Sequence, residues 1–89
     1  MAWTIKYSES SSKQLKKLDK QTALRVLDYM DKRVAALDDP RSLGKNLKGP
    51  KMGEYWRYRV GDVGVICHMS DGKMTVLVIE IGNRRQVYR

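Results

Sequence analysis

The stretch "EYWRYRVGDVGVICHM", residues 54–69, decides the architecture of this chain. Tyr55, Arg57 and Arg59 alternate with Trp56, Tyr58 and Val60. A period of two predicts a strand with one apolar side and one cationic side. Gly61-Asp62 reads as a two-residue hairpin turn, with a return strand over 63–69. Such a turn puts Arg59 opposite Gly64, Arg57 opposite Ile66, and Tyr55 opposite His68. Trp56, Tyr58, Val65 and Cys67 then face a core. The reverse face carries Tyr55, Arg57, Arg59 and His68, with a bare glycine, Gly64, beside the arginines.

Upstream, "AWTIKY" (2–7) places Trp3, Ile5 and Tyr7 at period two, a short half-buried strand. "SESSSKQLKKLDK" opens on serines suited to helix capping, and Leu15 and Leu18 sit three apart on a lysine-rich helix. In "QTALRVLDYMDKRVAALDD", Leu24, Leu27, Val34 and Leu37 with Met30 are expected to form the buried stripe of a second helix, ended by Asp38-Asp39-Pro40. The two helices predict an αα-hairpin. Residues 40–53, "PRSLGKNLKGPKMG", read as a loop. "KMTVLVIEI" (73–81) follows an Asp71-Gly72 turn as a last strand, and "GNRRQVYR" is a tail that would bring Arg84, Arg85 and Tyr88 near the cationic face by folding back. The expected class is α+β in the order β-α-α-β-β-β, an αα-hairpin on one face of a small, mostly antiparallel sheet, in a single domain spanning residues 1–89.

Lys and Arg outnumber Asp and Glu 18 to 10, for a net charge of +8. The excess lies in the second half, where residues 41–89 hold 10 basic and 4 acidic side chains. That distribution points to a polyanionic partner, nucleic acid first and an acidic protein second. The single cysteine, Cys67, excludes an internal disulfide and a CxxC zinc site, and fits a cytoplasmic protein. A polar amino terminus argues against a signal peptide or membrane span. No metal constellation, catalytic Ser/His/Asp set or phosphate-cradling glycine loop is present, so neither metal nor cofactor is expected.

The "KNLKG" loop (45–49), "YWRYRVGD" (55–62) and "VIEIGNRRQVYR" (78–89), in this order, resemble the RelE/ParE superfamily of bacterial toxins from type II toxin–antitoxin modules. The chain is most similar to the RelE-type mRNA interferases. The resemblance implies a RelE-like microbial RNase fold whose basic sheet face binds messenger RNA in the ribosomal A site. Cleavage there, by a ribose hydroxyl attacking the adjacent phosphate, needs a base, cations for the phosphorane, and an acid for the leaving oxygen. Family roles fall on Arg57, on Arg84 and on Tyr88 as catalytic residues. Lys45, Lys48, Lys51, Arg59 and Arg85 would bind RNA phosphates. The implied partners are a cognate antitoxin, the ribosome and mRNA, with operator DNA reached only through the antitoxin complex.

Two positions depart from the pattern. Tyr55 stands where the best-known members carry a first catalytic lysine. "VGDVGVI" replaces the usual "VGDYRVI", so Gly64 occupies the position of an arginine that clamps the scissile phosphate. Loss of one such cation is expected to lower the rate by about 10²–10³. His68, the lone histidine, is a secondary candidate for proton transfer, although a strand histidine more often meets solvent or a hydrogen bond. By themselves, Arg57 and Arg59 also fit an ordinary solvated face, and Tyr88 a packed terminal aromatic. The alternatives are a ParE-like inhibitor of DNA gyrase and an inactive homologue that only binds antitoxin.

Overall fold

The computed structural model describes residues 3–47 and 55–83. Strand β1 (Thr4–Tyr7) leads into helix α1 (Glu9–Lys17) and helix α2 (Lys20–Asp28), which continues as a π-helix over Tyr29–Val34. A 3₁₀ turn at Pro40–Ser42 precedes strand β2 (Lys45–Asn46), and strands β3 (Tyr55–Val60), β4 (Val63–Ser70) and β5 (Thr75–Asn83) follow. The sheet order is β1-β5-β4-β3-β2, with β1 parallel to β5 and every other pairing antiparallel. The α+β class and the one-sided packing of the helices are as expected from the sequence.

The hairpin closes as its alternation predicts. Gly61-Asp62 is the turn, and the pairs are Arg59 with Gly64, Arg57 with Ile66, and Tyr55 with His68. Gly61 takes φ +60, the left-handed region that a two-residue hairpin turn demands. Tyr58, Val65 and Cys67 are fully buried beneath the helices, and Trp56 packs on the same core.

Three expectations are corrected. The second helix buries Val26, Met30 and Val34, spaced by four, and leaves Leu24 51% exposed. Leu27 and Leu37 are only half-buried. Beyond Asp28 the helix widens to a π-helix: Ala35 N–H donates to the Met30 carbonyl five residues back (3.0 Å), and this wider turn keeps Val34 under Met30. The loop expected over 40–53 contains a two-residue edge strand, β2, too short to carry any periodicity. The last strand begins at Thr75 rather than Lys73, because Asp71–Lys73 form a 3₁₀ turn ended by Met74 in the left-handed conformation (φ 46).

The serines of α1 do more than cap a helix. Ser8 is the N-cap, accepting from Ser11 N–H at 3.1 Å. Above Tyr7 the chain leaves the sheet, so among the described residues no strand pairs with the outer edge of β5 beyond Val78. Side chains of the α1 segment take the strand's place. Ser11 Oγ, fully buried, donates to the Val78 carbonyl (2.9 Å), and Ser8 and Ser10 hydroxyls reach the Ile79 carbonyl (both 3.4 Å). Ile81 N–H donates to Gln14 Oε1 (2.7 Å). The Ile79 carbonyl and the Ile81 N–H thereby find partners, and the Val78 carbonyl, already bonded to Ser8 N–H (2.9 Å), gains a second donor.

This clamp sits on a β-bulge. The β4–β5 register shifts between Ile66 and Cys67, which pair with Glu80 and Val78, leaving Ile79 as the extra residue. Val76 and Val78 face the core before the bulge and Ile81 after it. An extra residue reverses the in–out alternation of everything that follows.

Candidate functional site

The sheet face turned away from the helices is a grid fixed by cross-strand register. One row reads Lys45, Arg57, Ile66, Glu80, the next Arg59, Gly64, Gly82, and a third Tyr55, His68, Leu77, Lys6. Arg57 is half-buried and Arg59 and Lys45 are exposed. Lys45 and Arg57 are directly opposed cations on neighbouring strands, which concentrates positive charge on this part of the face. The Tyr55 and His68 rings meet edge to face, with centroids 5.9 Å apart. Of the residues singled out in the sequence, Tyr55, Arg57, Arg59, Gly64, His68 and Lys45 are thus gathered on one face. Lys48, Lys51, Arg84, Arg85 and Tyr88 lie outside the described residues.

Two members of the face were not legible in the sequence. Lys6 arrives through the parallel pairing of β1 with β5, which no local signal announces. Glu80 is the one carboxylate that register places on this face among the described residues. Strict alternation from Val76 and Val78 would bury Glu80 with the core; the bulge at Ile79 turns it to the cationic side. A charged residue in phase with a buried valine pair was the available hint.

Three aromatic side chains position the segment that delivers Lys45. Trp3 Nε1–H donates to the Asp38 carbonyl (3.2 Å), the Tyr58 hydroxyl to the Pro40 carbonyl, and Trp56 Nε1–H to the Leu43 carbonyl (2.6 Å). Gly44 (φ +77) then presses onto β3: a Cβ there would meet the Arg57 carbonyl oxygen, Trp56 Nε1 at 2.8 Å and Tyr58 Cδ1 at 2.9 Å. Only glycine allows this approach and this backbone. Arg41 binds Asp71 through both guanidinium nitrogens (2.8 and 3.0 Å), tying the 3₁₀ turn to the β4–β5 connection. That bidentate bond holds the Asp71 carboxyl below its ordinary range.

The remaining titratable groups with displaced equilibria are structural. Burial pushes up the phenols of Tyr7 and Tyr58 and the thiol of Cys67, so none of them ionises near neutrality. Among the described residues no group of three or more His, Cys, Asp or Glu side chains could hold a metal ion. Among them, too, no helix is long and apolar enough to cross a membrane.

Comparison with known proteins agrees with this architecture. The model of the ParE toxin of type II toxin–antitoxin systems (parDE) matches residues 5–88. Among solved structures, the chain superposes on the RelBE2 toxin–antitoxin complex of Mycobacterium tuberculosis with a TM-score of 0.84 at 18% identity, covering 94% of this chain and 93% of that one. The archaeal RelE–RelB complex of Pyrococcus horikoshii gives 0.74 at 24% identity over 94% and 97%. The YoeB/ParE toxin of Agrobacterium tumefaciens gives 0.64 at 18% over 91% and 98%. No match was found among curated proteins. A family match over nearly the whole length, on a sheet and helix pair of the same build, means that this chain belongs to the ParE toxin family of type II toxin–antitoxin systems, within the RelE/ParE superfamily.

Proposed function

We propose that the protein is the toxin of such a module and acts in the cytoplasm as a ribosome-dependent, metal-independent endoribonuclease that cuts mRNA in the A site. The observation that carries this reading is the opposition of Lys45 and Arg57, with Arg59 two residues further along β3 on the same face. Such a row of cations is what a phosphodiester and its pentavalent transition state require. Arg57, Arg84 and Tyr88 are the catalytic residues of the proposal, with Tyr55 and His68 in supporting positions. Lys45, Lys48, Lys51, Arg59 and Arg85 hold flanking phosphates. Protons move between the ribose hydroxyl, the leaving oxygen and side chains of this face, to which His68 and Glu80 add an imidazole and a carboxylate.

Gly64 stands where the resemblance places a phosphate-clamping arginine, so the activity proposed is a reduced one. A cognate antitoxin neutralises the protein by covering the cationic face, and operator DNA is contacted through that complex. The relatives from M. tuberculosis and P. horikoshii, solved in complex with their antitoxin partners, support this part of the reading.

The experiment is to add the purified protein to ribosomes programmed with a defined mRNA and map the 3′ ends. Cuts confined to the A-site codon are expected, and none in either the native chain or Gly64→Arg would remove the enzymatic reading. A second reading is favoured by the matching family description itself, the toxin of parDE: inhibition of DNA gyrase without catalysis. A supercoiling assay separates the two. An antitoxin-binding homologue without either activity would leave both assays silent and still bind antitoxin.

A further inference from the structure

A cavity of about 240 Å³ opens at the outer edge of β3, lined by Tyr29, Gly44, Lys45, Arg57 and Arg59. Its walls come from three separate places in the chain. Tyr29 stands at the start of the π-helix, its ring edge-on to Tyr58 (6.1 Å) and covered on one face by the Arg33 guanidinium 5.5 Å away. Gly44 and Lys45 arrive on the segment pinned by the aromatic donors. Arg57 and Arg59 belong to the cationic face, so cavity and face are continuous around the strand.

The polar groups meeting there are donors. The Lys45 ammonium and the Arg59 guanidinium are cationic, and no carboxylate lines the space among the described residues. The Tyr29 hydroxyl has no hydrogen-bond partner within the described residues. The backbone adds one more donor. In a two-residue hairpin the closing pair, Val60 and Val63, exchanges hydrogen bonds, so Arg59 turns its own N–H and C=O away from β4. Strand β2 reaches only as far as Lys45 opposite Arg57, and among the described residues no strand continues beside Arg59. One residue of open edge is too short to template an added peptide strand. What it offers is the Arg59 N–H, with its carbonyl on the same edge, beside two cations and a phenol.

We propose that this cavity is an oxyanion site that seats one phosphodiester of a single-stranded RNA where the strand leaves the cationic face and passes over the outer edge of β3. The inference rests on the reading of that face as an RNA surface and adds Tyr29 and the Arg59 peptide to it. Tyr29 and Arg59 supply directed hydrogen bonds, Lys45 supplies charge, and the close approach of Gly44 to β3 fixes where Lys45 stands.

The test follows backbone amide resonances of the whole chain during titration with inorganic phosphate, with an oligouridylate about 12 nucleotides long, and with poly-glutamate of matched charge. Saturable shifts at Gly44, Lys45 and Arg59 are expected with phosphate and the oligonucleotide. Tyr29→Phe, which keeps the ring, is expected to weaken oligonucleotide binding about threefold to tenfold. Lys45→Gln is expected to lower the salt dependence of binding by about one phosphate contact. Shifts produced by poly-glutamate and not by the oligonucleotide would assign the cavity to an acidic protein and overturn the proposal. So would unchanged affinity in both variants. Oligonucleotide shifts at Gly44 and Lys45 without any at Ile66 or His68 would uphold this site and instead remove the RNA reading of the central face.

Discussion

Arg59 and Gly64 are direct partners across the β3–β4 ladder, and Gly82 is the partner of Gly64 on its other side. The row that begins with an exposed guanidinium therefore continues as two adjacent residues without side chains, on the face read as RNA-binding. Placing an arginine at Gly64 would set a second guanidinium beside the first. On the proposed reading, Gly64→Arg raises A-site cleavage by about 10²–10³ relative to the native chain. Single-turnover cleavage on programmed ribosomes measures this. A folded variant with unchanged cleavage would show that the missing cation is not what limits the reaction.

Gly44→Ala is expected to destabilise the fold by about 1–3 kcal/mol, since the new methyl group meets the Arg57 carbonyl and both aromatic clamps in a backbone region disfavoured for alanine. Gly61→Ala is the control: its φ is also positive, but nothing lies within 4 Å of the added carbon. It should cost about 1 kcal/mol. Urea denaturation of the two variants, compared with the parent, reads the difference. Equal losses would mean that backbone conformation alone, not the close approach to β3, explains Gly44.

Tyr58 is fully buried, and its hydroxyl donates to the Pro40 carbonyl. Tyr58→Phe leaves that acceptor unpaired at a cost of about 1–3 kcal/mol. The same residue shapes the alkaline limb of stability. Burial raises its phenol above the ordinary value, so the folded state holds the proton more tightly than the unfolded chain. That contribution is complete below the ordinary tyrosine value of about 10 and is lost as pH rises beyond it. Chemical denaturation from neutral to alkaline pH should show a shallower decline in Tyr58→Phe. Tyr7, raised in the same direction, accounts for part of the decline that persists.

Gln14 holds the far side of the β5 bulge through Ile81 N–H. Gln14→Leu keeps the bulk of the side chain and removes the acceptor, at an expected cost of about 1–3 kcal/mol. The specific consequence is local. Amide exchange at Ile79, Glu80 and Ile81 should accelerate more than exchange at Val65 and Cys67 on β4. A uniform acceleration would assign Gln14 to general packing and not to the bulge.

Much of this could be read from the chain alone. The alternation in "YWRYRV", the Gly-Asp turn and the apolar return strand are local signals, and they determined the hairpin, its register and the identity of its two faces. That alone places Arg57, Arg59, Tyr55, His68 and Gly64 together on one face. Each of these follows from the side-chain period of two and from a turn whose length admits one register.

What tertiary structure alone decided lies where the local period breaks or where distant segments meet. The second helix buries Val26 and leaves Leu24 outside, and its continuation as a π-helix keeps Val34 in line with Met30. The bulge moved Glu80 from the core phase to the cationic face, and the serines and Gln14 of α1 satisfy the backbone that the bulge exposes. The juxtaposition of Tyr29, Lys45 and Arg59 needed three segments to converge on one strand edge. Periodicity is a property of a few neighbouring residues and is written in the sequence. A bulge, a widened helical turn and a non-local convergence are set by which buried backbone groups find partners, and only the folded chain settles that.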